Sequence, residues 1–167
     1  MRVADDLAPL VEREWRGWVE AALAGKERNR LGWLGAITAR DLAHLQAAGI
    51  APQTAELMVR PGLLYGPKAK RHLDDGNAIT PEQWRGLPAL WRKAVALLLD
   101  MESGKPLWLL PGADGRTPQL AVEVDFADKT QKPALTTDAV KSAFIQRADV
   151  LDGKLRGGKI RILWGGW

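Results

Sequence analysis

Between Asp5 and Ala24 apolar residues (Leu7, Leu10, Val11, Trp15, Trp18, Val19 and Ala22) recur at three- and four-residue spacing, which predicts an amphipathic helix. Asp5 or Asp6 is placed to cap its start and Gly25 to stop it. After a charged connector, Trp33–Ile37 predicts a short strand. Thr38 then caps a second helix over Ala39–Ala48, closed by Gly49. Thr54–Val59 reads as a strand stopped by Pro61-Gly62. Leu64–Leu73 predicts a short basic helix with Pro67 in its first turn. A turn over Asp74–Asn77 leads to Thr80-Pro81-Glu82-Gln83, an N-cap and proline that open a helix through Trp84; a last short helix lies near Pro88–Lys93.

From Ala94 the pattern changes period. Ala94–Leu99 and Leu107–Leu110 are short apolar runs separated by the hairpin loop Glu102-Ser103-Gly104-Lys105. A second loop, Gly112-Ala113-Asp114-Gly115, precedes Leu120, Val122, Val124 and Phe126, which alternate with Ala121, Glu123 and Asp125 as a half-exposed strand does. Ala143–Ile145 and Ile160–Trp164 complete the sheet. Helices first and an antiparallel sheet of about four strands afterwards predict an α+β domain.

At 167 residues the chain holds one well-buried domain with a small N-terminal extension. It has no cysteine, which rules out disulfides, thiolate nucleophiles and Cys-based zinc sites. No run reaches membrane-spanning length, and the N-terminus lacks a basic region followed by an apolar core, so a soluble domain without membrane partners is expected. Eight tryptophans bring large buried areas and indole N–H groups that need acceptors. Net charge is +4, but its distribution says more than its size. From Lys129 onward there are eight Lys or Arg against three Asp. That surplus fits a nucleic-acid partner, and it equally fits a solvated basic face.

The candidate chemistry is cationic. His72 shares a helix face with Lys68, in the run Lys68-Ala69-Lys70-Arg71-His72, and an imidazole there is a candidate general acid or base or a plain surface residue. Lys129, Lys132, Lys141 and Arg147 are candidates for neutralising charge on a pentacoordinate phosphate, and Thr136, Thr137 and Ser142 for orienting it by hydrogen bonds. Lys141 and Ser142 point to opposite faces of a regular strand, so a shared site requires a bulge. Glu123, Asp125 and Asp128 lack a further ligand at useful spacing and read as surface carboxylates, so no metal and no other cofactor is expected. The glycine-rich pieces lack the strand–loop–helix context of a phosphate-binding loop.

Taken together, His72 on a basic helix, the LPALWRKAVALLLD run, PLWLLPG, QLAVEVDF, the DAVKSA run and the final basic strand resemble a known group. It is the phage-encoded nuclease domains of the barnase–EndoU–colicin–toxin RNase superfamily, often fused to phage Mu F-like head-morphogenesis (minor capsid) proteins. The resemblance covers about Gly66–Gly166, with a weaker echo over Ala36–Pro61. It implies a helical or mixed lead-in, residues 1–60, and a barnase-like α+β nuclease domain, residues 61–167. Its pattern maps onto the basic helix Lys68–His72, the strand Val122–Phe126, a following Lys129 or Lys132, and Asp138-Ala139-Val140-Lys141-Ser142. Asp138 and Lys141 depart from the Asn and Arg of that last run, and Asp138 is expected to pair with Lys141 rather than face a phosphate.

The implied activity is metal-independent endoribonuclease cleavage by attack of the ribose 2′-OH on the adjacent phosphate. His72 would carry a proton, with Lys129, Lys132, Lys141, Ser142 and Thr137 at the phosphate. Lys68, Lys70, Arg71, Arg147 and Arg161 would bind nucleic acid, and Trp108 or Trp164 would stack a base. The implied partners are RNA such as host tRNA, phage head proteins or an immunity protein, in a virion or in host bacterial cytoplasm. A virion-associated structural or DNA-packaging module that binds without catalysis is the alternative, and an interaction domain docking through Trp15, Trp18, Trp84 and Trp91 is a third.

Overall fold

A computed structural model describes the backbone of residues 2–167 and the side chains of residues 9–167. Helix α1 (Arg2–Leu23) carries the heptad-like apolar stripe; the cap expected from Asp5 or Asp6 lies outside the described side chains. Next come β1 (Gly32–Ala36), α2 (Ala39–Ala47), β2 (Glu56–Val59), α3 (Gly62–Tyr65) and α4 (Pro67–Asp74). Helices α5 (Pro81–Arg85) and α6 (Leu87–Arg92) lead into β3 (Ala96–Asp100) and β4 (Pro106–Leu109). The chain ends with β5 (Arg116–Asp128), β6 (Leu135–Arg147), α7 (Ala148–Arg156) and β7 (Ile160–Gly165). Thr38 caps α2 by accepting from the Asp41 N–H, and Thr80 with Gln83 forms a reciprocal capping box on α5.

The expected four-stranded, barnase-like antiparallel sheet is overturned. All strands join one seven-stranded mixed sheet in the order β1-β2-β6-β5-β4-β3-β7, in which β2 and β6 run parallel and every other pair antiparallel. The physical reason lies in β2. Leu57 and Val59 are fully buried and pair with Asp138 and Val140, so a segment from the first sixty residues becomes an interior strand. Trp15, Trp18 and Leu45 pack in the same core as Leu120 and Val140.

Side-chain alternation sorts the sheet into two faces. Leu97, Trp108, Leu120, Val122, Val140 and Ala143 point to the face that α1, α3, α5 and α6 cover. Ala96, Leu98, Leu107 and Leu109 point to the other, where Leu151 of α7 and Ile160 close a smaller cluster. Leu151 of helix α7 packs on that face against β3, β4 and β7, with Ala121 of β5 at the cluster's margin. Over β5, β6 and β2 the same face carries half-exposed Met58, Glu123, Phe126, Ser142 and Phe144.

Trp15, Trp18, Trp84 and Trp91 are core (2%, 3%, 4% and 6% exposed), which removes the docking role expected of them. Their indoles find acceptors inside the fold: Trp15 on the Trp84 carbonyl (2.7 Å), Trp18 on that of Arg30 (2.8 Å) and Trp91 on that of Ala36 (3.2 Å). Trp108 is fully buried and one face of half-buried Trp164 is covered by the Arg40 guanidinium, 3.7 Å from the ring centre, so neither is an open base-stacking platform. Their N–H groups both donate to buried Asp41, at 2.9 and 2.7 Å, joining α2 to β4 and β7. A carboxylate accepting two indole bonds in the core is worth more than the neutral bonds around it. Asp41→Ala is therefore expected to lower the unfolding free energy by about 3 kcal/mol, and Asp41→Asn, which keeps one acceptor oxygen, by about half as much. Denaturant titration monitored by tryptophan fluorescence checks this; a loss below about 0.5 kcal/mol for the alanine variant contradicts the bridge.

Candidate nucleic-acid interface

The site begins with the edge of β6. Strand β2 pairs with it only from Asp138 to Val140, leaving the remaining edge without a strand partner on that side. Helix α4 and the turn after it take over. Lys68 Nζ donates to the Lys141 carbonyl (2.9 Å), and the Ile145 N–H donates to the Asn77 carbonyl (2.7 Å). Gly66, between α3 and α4, lets α4 sit this close: a Cβ there would meet the Gly62 carbonyl at 2.5 Å. Pro67 supplies the preset φ for the first turn.

A bulge sets the side chains. Ala121 pairs with Ser142 and Val122 with Val140, so Lys141 is the extra residue on β6. The constraint read from the sequence is thereby lifted, and Lys141 and Ser142 share the open face. Lys141 Nζ lies 3.4 Å from Glu123 Oε2 and 4.9 Å from the Phe126 ring centre. Arg60, directly after β2, sits 5.7 Å over the same ring. Ser142 Oγ has no hydrogen-bond partner among the described residues. Phe144 lies two residues on, about 7 Å along the same face.

His72 stacks on Phe144, with ring centres 5.1 Å apart and planes 15° apart. Its Nδ1 is 3.1 Å from Asn77 Oδ1. An amide oxygen only accepts, so Nδ1 carries the proton and Nε2 is left as the base. Lys68 and Arg71 stand on the same short helix. Burial against the sheet edge, reinforced by the charges of Lys141, Arg60, Arg71 and Lys105, lowers the Lys68 pKa from its ordinary value. Such a group gains from an arriving anion, which relieves the mutual repulsion.

The structure thus brings together His72, Lys68, Arg71, Lys141 and Ser142, and adds Arg60, Lys105 and Glu123, which sequence reasoning missed. Parity with Met58 along β2 was the one signal for Arg60; nothing local announced that β2 would lie beside β6. Other candidates fall elsewhere. Thr137 is 1% exposed and its hydroxyl donates to the Glu56 carbonyl (3.3 Å), a structural bond. Lys129 and Lys132 lie in the β5–β6 hairpin tip, roughly 20 Å from Lys141 along β6. Arg147 is about as far in the other direction and pairs with Asp149. Arg161 is on β7, four strands from β6, roughly 20 Å across the sheet. Lys70 pairs with Asp74 at 3.2 Å.

Asp138 does not pair with Lys141. It is fully buried, its Oδ1 accepts the Asp125 N–H (3.0 Å), and its Oδ2 has no partner. Asp125 has φ +56° at a second bulge, between Glu123 and Phe126. No group of three or more metal-ligating side chains comes together among the described residues. No known protein family, curated protein or solved structure matches the chain, so function rests on the chemistry of this face.

Burial, and then the nearby Asp125 charge, push the Asp138 carboxyl up to about 6, against the hydrogen bond from the Asp125 N–H. The native state therefore holds a proton that the unfolded chain releases between about pH 4 and 6, and stability from this group falls as pH rises through that window. Above it the deficit is constant, about 2–3 kcal/mol. In urea titrations from pH 4 to 7, the difference in unfolding free energy between Asp138→Asn and the parent is expected to grow in the variant's favour by that amount. A pH-independent difference contradicts it.

Proposed function

We propose that this chain is a metal-independent endoribonuclease, of phage or prophage origin, that holds single-stranded RNA on the open face of β5 and β6. The observation that carries the reading is the convergence of Lys68, Lys141 and Arg60 with His72 and an unpartnered Ser142 hydroxyl beside two phenylalanine rings. Cations beside aromatic faces suit a strand whose phosphates and unstacked bases are both accessible. The seven-stranded sheet is not the fold that the sequence resemblance implies, so the proposal rests on these side chains alone.

In the proposed reaction the 2′-oxygen forms a bond to phosphorus, the bond to the 5′-oxygen breaks, and a 2′,3′-cyclic phosphate and a 5′-hydroxyl result. His72 Nε2 handles one of the two transferred protons, its ring held by Asn77 and Phe144. Lys141, Lys68 and Arg60 offset the extra negative charge of the pentacoordinate phosphorus. Ser142 orients a non-bridging oxygen. Glu123 holds Lys141 in place through their ion pair, and the departing 5′-oxygen takes its proton from solvent.

Cleavage of single-stranded RNA in chelator, followed by gel, tests this. His72→Ala and Lys141→Ala are each expected to reduce the rate about 100-fold or more, while Arg161→Ala leaves it unchanged. Equal rates in all four proteins contradict the site. Salt-sensitive RNA or DNA binding with no cleavage by the parent would favour the second reading, a virion-associated structural or DNA-packaging module using the same cationic face.

A further inference from the structure

Beyond Phe126 and Thr137 no further strand among the described residues flanks β5 and β6, and residues 129–136 are all exposed. This two-stranded arm begins at the second bulge, which adds twist and turns it relative to the sheet. Its tip, Lys129–Ala134, presents Lys129 and Lys132, neither of which makes an ion pair among the described residues. The nearest carboxylate in sequence, Asp128, is 5% exposed and accepts from the Thr130 N–H (3.0 Å) and hydroxyl (2.6 Å), so it is committed to the turn. Asp125 at the base accepts from the Gln53 N–H (2.9 Å). Leu135, 54% exposed, adds an apolar surface beside the lysines.

The arm carries the candidate interface on past the bulge. Phe144 with His72, then Ser142, then Lys141 with Phe126, then Leu135 and the tip lysines lie along one strand pair, about 30 Å end to end. A long track of alternating cations and apolar surface fits a single strand several nucleotides long better than a lone phosphate. We infer that Lys129 and Lys132 form a distal phosphate clamp, which grips single-stranded RNA several nucleotides from the reacting phosphate and makes affinity depend on substrate length. The inference rests on the proposed RNA-binding function.

The test compares the parent, a Lys129→Ala/Lys132→Ala double variant and Lys141→Ala. The probes are non-cleavable 2′-O-methyl oligouridylates, a dinucleotide and an oligomer of about twelve nucleotides, over a range of salt. For the longer oligomer the double variant is expected to bind several-fold more weakly, with a log–log salt slope smaller in magnitude by about 1.4, two contacts at about 0.7 each. Its dinucleotide affinity should equal the parent's, whereas Lys141→Ala should weaken both probes. If Lys141→Ala weakens both and the double variant weakens neither, or weakens both probes alike, the clamp is wrong and the RNA-binding reading stands. A parent that binds neither probe removes both.

Discussion

One strand edge organises this molecule. The interior edge of β6 has three consecutive residues, Asp138 to Val140, paired in parallel with β2. An unpaired edge past that point would leave backbone donors and acceptors open to pairing with other chains. The fold instead lays α4 and its following turn along the remainder, through the Lys68 ammonium on one carbonyl and the Asn77 carbonyl on one N–H. The change of partner coincides with the Lys141 bulge, and the two features act together. A helix that protects an edge also delivers His72 and Lys68 to it, and the bulge turns Lys141 and Ser142 to the same side.

That arrangement has an electrostatic consequence. Arg60, Lys68, Arg71, Lys105 and Lys141 reach one region from four elements of the chain, with Glu123 as the one carboxylate paired among them. Like charges held together by backbone constraints repel, and the lowered Lys68 pKa expresses that repulsion. The helix-covered face contrasts with it. There the polar content is a fully used acceptor, Asp41, bound by two indoles, and the charge serves the core rather than a ligand.

Most elements are legible in the sequence because their signals are local. Thr38 and Thr80 mark helix starts, apolar spacing marks α1, and alternation around Val122 marks β5. Two elements escape. Leu135–Arg147 reads as a lysine- and hydroxyl-rich segment with only a short strand at its end, yet it forms one strand along β5, with Thr136 exposed, Thr137 and Asp138 buried and Lys141 in the bulge. Ala148–Arg156 carries no element in the sequence reading, yet it is a helix whose Leu151 is fully buried. The sheet order is not legible at all, because joining Leu57–Val59 to Asp138–Val140 is a contact across some eighty residues. Part of the site follows the same rule. His72, Lys68, Lys141 and Ser142 stand out by residue type, whereas Arg60 enters only through that long-range pairing and Lys105, just before β4, through the β4–β5–β6 strand order. Thr137 and the tip lysines are separated from the site by strand geometry that spacing alone does not convey.

The account's central claim is that the uncovered face of β5 and β6, with the adjoining edge of α4, is where nucleic acid lies. Amide and side-chain NMR of the whole chain, titrated with a short non-cleavable single-stranded RNA, tests it most directly. The account predicts that shifts concentrate on Arg60, Lys68, His72, Phe126, Lys141, Ser142 and Phe144, with α7, β7 and α5 unmoved. Shifts centred on α7, β7 or the helix-covered face, or a spectrum that RNA leaves unchanged, would contradict it.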